Sequence, residues 1–289
     1  LHAVVGEAVD GNLSNAFDIL FAGSPARVAL KRRGTKPTEF LRLLAHDIRW
    51  RLLGELTRSD RRVNELVALI NERPNLVSYH LSVLRKHRLV SDHRSSADAR
   101  DIYYRFEQER FREGFLASGS RLYPGLEGEG EGGRSERAAS LKRTTLQPRK
   151  RVLFLCTGNS ARSQMAEGIL RHLSEGSIDV ESAGTGPRGV NPLAVKALEP
   201  TIDISHQRSK HLDEFIHERF DYVITLCDRA REECPIFPGH PERIHWSFPD
   251  PAEVEGEEER EAAFRRTASE LFTRLRYLIA MIERKRKTS

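Results

Sequence analysis

Cys156-Thr157-Gly158-Asn159-Ser160-Ala161-Arg162-Ser163 stands where a short apolar run, 152–155, gives way to a helical pattern over 163–173. A loop of this length between a strand and a helix can turn successive backbone N–H groups inward. It can add the positive end of the helix and lay a guanidinium across a tetrahedral oxyanion. Thr157 through Arg162 would form that cradle. The same field favours a thiolate, which makes Cys156 the candidate nucleophile, with Ser163 at the helix start able to donate a hydrogen bond to its sulfur. A bare Cys followed by an Arg six positions later arises easily by chance in so Arg-rich a chain. The strand before it, the Gly and Asn within it and the helix after it are what the mechanism demands.

A departing oxygen needs an acid beside it. Asp250, in Ser-Phe-Pro-Asp-Pro, sits on a proline-stiffened loop just past a strand expected at 243–246, at the sheet edge that carries Cys156. Alone, an Asp-Pro pair is also an ordinary turn signal. Cys227 ends a strand expected at 222–226, and Cys234 follows seven residues later. As an intact helix that segment spans about 10 Å, whereas a disulfide tolerates about 7 Å between Cα atoms. Pairing the two thiols therefore requires the segment to unwind or loop out. Zinc is a poor rival without Cys-x-x-Cys or a His at ligand spacing; two idle core thiols are the bland alternative.

Strands at 152–155, 178–182, 222–226 and 243–246 alternate with helices and imply a doubly wound α/β fold. Its four-stranded parallel sheet would carry its sites at the strands' carboxyl ends. A closing helix over 257–283 presents Phe264, Ala268, Leu271, Leu275, Leu278 and Ile282 on one face, with an acidic start and a basic end that suit the helix dipole. Toward the N-terminus the pattern differs. A helix is expected over 39–56, a second at 63–70 and a third at 75–87 with Val77, Leu81 and Leu84 inward. Leu89-Val90 and 102–106 then read as a two-stranded hairpin. Helix, turn, helix and hairpin in that order make a winged helix-turn-helix domain over 38–118. Six glycines among residues 119–133 start a stretch that cannot bury a core, so 119–150 is expected to be a flexible linker. Residues 1–37 are expected to be a poorly ordered basic arm.

The chain has 289 residues, enough for about two domains. Residues 1–150 carry 27 Lys+Arg against 19 Asp+Glu and residues 151–289 carry 20 against 23, so the halves suit different partners. A basic half can hold a polyanion by counterion release; a mildly acidic one must bind an anion at a local site. No apolar run approaches a membrane span and the start lacks a leader pattern. Three cysteines do not make a disulfide framework. A cytoplasmic protein with no membrane association is expected.

Residues 151–289 resemble the low-molecular-weight phosphatase superfamily, and specifically its thioredoxin-coupled arsenate reductase branch. The resemblance rests on Cys156-Thr-Gly-Asn-Ser-Ala-Arg-Ser, Val-Glu-Ser-Ala-Gly at 180–184, Cys227 with Cys234-Pro, and His-Trp-Ser-Phe-Pro-Asp-Pro-Ala at 245–252. It implies that Cys156 attacks arsenate held by the loop and Arg162 while Asp250 protonates the departing oxygen. Cys227 then attacks Cys156 and releases arsenite, and Cys234 attacks Cys227. The resulting Cys227–Cys234 disulfide is reduced by thioredoxin, with no bound cofactor. Asn159 would shape the loop. Ala161 stands where many relatives have a further cysteine that the relay does not use. The resemblance also implies a potassium ion near Asn159, Glu167 and Ser182.

Residues 38–118 resemble the ArsR family of winged-helix repressors through Asn-Leu-Val-Ser-Tyr-His-Leu-Ser-Val-Leu-Arg-Lys-His-Arg-Leu-Val at 75–90 and Ile-Tyr-Tyr-Arg-Phe at 102–106. The resemblance implies operator DNA as partner and a homodimer. Ser78, Tyr79 and His80 would face the major groove, and Arg85, Lys86, Arg94 and Arg100 would meet phosphates. This domain has no cysteine, which excludes a thiolate arsenite site in it. Either it senses nothing metallic or signalling enters through the redox state of the attached half. Two rival readings remain, a tyrosine phosphatase and a regulator whose C-terminal half only senses an anion.

Overall fold

The computed structural model describes residues 37–120 and 149–288. Nearly all of the arm expected over 1–37 and of the linker expected over 119–150 lies outside the described residues. Among those described, the buried apolar side chains fall into two clusters, one in each half of the chain.

In the N-terminal half, helices Pro37–Leu44 and Asp47–Arg58 replace the single helix expected over 39–56. The break falls at Ala45-His46, where His46 takes an extended backbone conformation. Arg49 then folds back, donating from Nε to the Leu43 carbonyl at 2.6 Å and from Nη2 to Arg42 at 3.1 Å. It thereby satisfies carbonyls that the break would orphan. Helices Val63–Ile70 and Pro74–Lys86 follow as expected, and Val77, Leu81 and Leu84 are fully buried. β2 (Val90–Arg94) and β3 (Ile102–Phe106) form the antiparallel hairpin. A two-residue strand absent from the sequence reading, β1 (Arg61–Arg62), adds to β3 and gives the order β1-β3-β2. Helix Gln108–Gly119, also unanticipated, packs Phe111 against Phe40 and Phe106.

The C-terminal half is a parallel sheet in the order β5-β4-β6-β7, from β4 (Lys150–Cys156), β5 (Ile178–Gly184), β6 (Tyr222–Thr225) and β7 (Glu242–His245). β4 is buried from Val152 to Cys156, as a strand covered on both faces must be. Helix Arg162–Leu173 packs against β4, β5 and the long closing helix Glu257–Thr288. All six residues expected on the inner face of that closing helix are buried. The chain leaves β4 toward β5 on one side and later returns to β6 on the other. Loops diverge at that switch point, directly beyond the carboxyl end of β4.

The halves touch along β7. The Asp60 amide donates to the His245 carbonyl at 2.8 Å, and the His245 amide donates to Ser59 Oγ at 2.9 Å. The edge of the parallel sheet is thus covered by chain from the N-terminal half, which removes an exposed strand edge. Asp60, fully buried, accepts from the Ser247 amide at 2.9 Å, Arg105 Nε at 3.3 Å and Arg274 Nη1 at 3.1 Å.

Candidate active site

Cys156 ends β4, and its Sγ lies 2.9 Å from Ser163 Oγ in the first turn of helix Arg162–Leu173. Both are buried. The loop between them is held by Asn159, buried and with a positive φ of 40°. Asn159 Nδ2 donates to Ser163 Oγ at 2.9 Å and to Ser182 Oγ at 2.8 Å. Its Oδ1 accepts from Gln164 Nε2 at 2.9 Å and from the Lys210 amide at 2.7 Å. One short amide side chain therefore ties the loop to the helix, to β5 and to the segment before Leu212.

The loop also rests directly on the end of β5. A Cβ at Gly184 would lie 2.5 Å from the Thr157 carbonyl oxygen, 2.8 Å from the Asn159 amide and 2.9 Å from the Cys156 carbonyl. Only glycine permits that approach. Beyond it, the amides of Gly186, Arg188 and Asn191 donate to the carbonyls of Thr157, Gly158 and Ser160. Those carbonyls are thereby drawn away from the anion cradle.

Arg162 and Asp250 meet beside the loop. Arg162 Nη2 lies 2.6 Å from Asp250 Oδ2, and Nη1 donates to the Phe248 carbonyl at 2.9 Å. The arginine is almost buried and the carboxylate partly exposed. This pair fixes the carboxylate beside the loop and aligns the guanidinium. Asp250 Oδ1 also caps the turn that follows by accepting from the Ala252 amide.

Cys227 joins the site two residues past β6, at the start of helix Asp228–Glu232 rather than at the end of the strand as expected. Its buried Sγ is 3.4 Å from Thr157 Oγ1, so a second thiol stands against the cradle. Helix Asp228–Glu232 separates it from Cys234, and all three thiols are free. Cys234 is partly exposed, and burial pushes its thiol above the usual range, with Arg243 opposing. It is followed by Pro235 and by Ile236, which is 86% exposed.

The residues singled out for potassium do not fit that ion. Asn159 and Ser182 are bonded to each other, and the cation beside Glu167 is Lys210, whose Nζ is 3.2 Å from Glu167 Oε2 and 2.6 Å from Glu181 Oε2. Arg171 takes the other Glu167 oxygen at 2.7 Å. An ammonium already supplies the charge that the ion would bring.

Gln164, Lys210 and the buried set behind Cys227 lie outside the residues singled out from the sequence, and Gly184 entered only as the end of the 180–184 motif. In that set Asp228 accepts from Ser247 Oγ at 2.6 Å and meets His245 Nε2 at 3.1 Å, while His245 Nδ1 meets Thr225 Oγ1 at 2.9 Å. Burial pushes Asp228 upward, but hydrogen bonds from His245, Ser247 and Ser96, with His93 Nε2 nearby at 3.8 Å, outweigh it and hold the carboxyl below the usual range. Burial lowers His245. Within the 245–252 motif only Asp250 was given a role; a His and a Ser two residues apart after an apolar strand were the available signal.

A model of the low molecular weight phosphotyrosine protein phosphatase family matches residues 151–288. An arsenate reductase of Halalkalibacterium halodurans is 48% identical over 130 residues, covering 44% of this chain and 94% of that protein. The chain belongs to this family. Another family relative, an arsenate reductase of Bacillus licheniformis, is 50% identical over 131 residues, with 44% of this chain and 94% of that protein covered. A solved arsenate reductase in the oxidized state is 34% identical, covering 46% of this chain and 98% of its own, with a TM-score of 0.41. The parallel sheet and the loop after β4 are the family's part of the molecule. The family match lies within the C-terminal half.

There, Ser78 and Tyr79 are exposed on helix Pro74–Lys86, and Arg85, Lys86, Arg94 and Arg100 are exposed at its end and on the hairpin. His80 does not face outward as expected. It is 3% exposed, its ring 4.3 Å from that of His46, and burial lowers its pKa. It sits three residues after Val77 and four before Leu84, on the inner side of the helix.

Proposed function

We propose that this chain is an arsenate reductase fused to a winged helix-turn-helix DNA-binding domain. Cys156 attacks arsenic in arsenate held by the 157–162 loop and Arg162, and Asp250 protonates the oxygen that leaves as water. Cys227 then attacks Cys156 Sγ. The S–As bond breaks with its electron pair passing to arsenic, which departs as arsenite. Cys234 attacks Cys227, Cys156 leaves as a thiolate, and a Cys227–Cys234 disulfide remains. Arsenate and two thiols thus become arsenite, one disulfide and water. Thioredoxin is the proposed reductant, and partly exposed Cys234 beside exposed Ile236 is the side it would approach.

The contact of Cys227 Sγ with the loop, at 3.4 Å from Thr157 Oγ1, carries this reading over phosphate-ester hydrolysis. Hydrolysis clears its intermediate with water and uses neither Cys227 nor Cys234. The test is thioredoxin-linked NADPH consumption with arsenate, run beside a phosphotyrosine-mimic hydrolysis assay. Cys227→Ser and Cys234→Ser should each abolish coupled turnover; retained turnover with active hydrolysis would favour the phosphatase. A flat trace in both assays would support an anion sensor.

For residues 38–118 the reading is that Pro74–Lys86 lies in the major groove with Ser78 and Tyr79 toward the bases, while Arg85, Lys86, Arg94 and Arg100 meet phosphates. Exposed Leu41 and Phe115, on two helices that pack together, offer an apolar face for the expected homodimer. Binding to a random-sequence duplex should weaken steeply with salt, and Arg94→Ala with Arg100→Ala should reduce that slope by about 2.

A further inference from the structure

The helix between Cys227 and Cys234 is gripped by the N-terminal half. Asp228 Oδ2 accepts from the Ser96 amide at 2.7 Å and from Ser96 Oγ at 3.1 Å, both in the loop between β2 and β3. Arg231 pairs with Glu65, donates to the Asp60 carbonyl at 3.4 Å and lies over the Tyr103 ring at 4.9 Å. Glu232 accepts from Tyr103 Oη at 3.2 Å and faces Arg62 at 3.8 Å. Of the helix's charged side chains, Asp228, Arg231 and Glu232 are held across the boundary, while Arg229 is exposed.

These grips belong to the dithiol form. An intact helix holds Cys227 and Cys234 about 10 Å apart, and a disulfide needs about 7 Å or less between Cα atoms. Oxidation must therefore unwind or displace residues 228–233, the segment carrying every one of those partners. We propose that the N-terminal half is a redox-gated clamp, docked on the 228–232 helix while both thiols are reduced and released from it when the Cys227–Cys234 disulfide forms. The oxidant is arsenate, which gains the two electrons that the two thiols lose while their protons pass to water. The hairpin freed is the one carrying Arg94 and Arg100, so release reaches the surface assigned to DNA phosphates. The idea rests on the dithiol relay proposed above.

The test uses the full chain with Trp50→Phe, leaving Trp246, whose buried indole donates to the Arg58 carbonyl at 3.2 Å, as the fluorescent reporter of the boundary. The reduced protein is compared with protein oxidised by stoichiometric arsenate and, separately, by diamide, a small azo oxidant of dithiols; mass mapping locates the disulfide. The expected result is a red shift of Trp246 and roughly ten-fold faster amide exchange over 92–105 once the disulfide is present. A complete Cys227–Cys234 disulfide with unchanged emission and exchange would overturn the clamp and leave the reductase reading intact. Release with diamide but no disulfide with arsenate would uphold the clamp and sink the reductase. Weakening the grip by Tyr103→Phe with Glu65→Gln should speed diamide-driven disulfide formation roughly five-fold; an unchanged rate counts against the clamp.

Discussion

Asn159 uses both its donors and its acceptor inside the protein, and Gly184 leaves no room for a methyl group. Neither residue has to touch a substrate to matter, because together they fix where the backbone of 157–161 lies. Gly184→Ala should push that loop off β5. We expect kcat/KM for arsenate to fall by about 100-fold, since misplacement of about 1 Å is that costly, with arsenate-linked turnover as the measurement. In the proposed mechanism Asp250 acts on the chemistry instead. Asp250→Asn keeps a partner for Arg162 but cannot supply a proton, so kcat should drop by roughly 10²–10⁴ while KM changes little. A loss confined to KM would assign Asp250 to anion binding alone.

Elements position these residues with unequal legibility. β4, the loop and helix Arg162–Leu173 were readable because a buried parallel strand is continuously apolar and the Gly-Asn pair marks the turn. The inner face of Glu257–Thr288 was readable for its period. The break at 45–46 was not, because the apolar stripe continues through it and the Arg49 back-bonding that stabilises the break is tertiary. Helices Gln108–Gly119 and Pro192–Leu198 were missed, one being charged and irregular and the other short. Lys210 lay outside every pattern, since a lone lysine in a polar stretch gives no sign that it closes on Glu167 and Glu181. Lys210→Met should leave Glu167 buried with Arg171 alone. The expected cost is about 3 kcal/mol, read from urea unfolding, with no gain from added zinc or magnesium.

At the scale of the whole molecule, charge patterning separates the halves in sign but conceals that they share a buried polar boundary. Asp60 shows why. It is paired with Arg105 and Arg274 from opposite halves, and it lies far in sequence from both. Burial raises its carboxyl, yet the two guanidinium groups, His245 and the Ser247 amide outweigh that and hold it below the usual range. Asp228 is lowered likewise, and His245 is lowered by burial. All three folded-state values lie below their unfolded ones, so in each case the unfolded chain binds the proton first. Their stabilisation is complete above the unfolded histidine value of about 6.5 and is lost as pH falls, first through His245 and then below about 4 through the two carboxylates. Urea midpoints measured from pH 8 to pH 3 should therefore be flat at the top, decline below about 6.5 and steepen below about 4. His245→Gln should lower the plateau and shrink the upper limb of the decline, leaving the part that His80, also lowered by burial, contributes. Asp60→Asn should cost about 3–5 kcal/mol near neutrality by leaving Arg274 without its buried counter-charge. A midpoint that holds level from pH 8 all the way to pH 3 would mean these groups titrate alike folded and unfolded, and that the boundary between the halves is open to water.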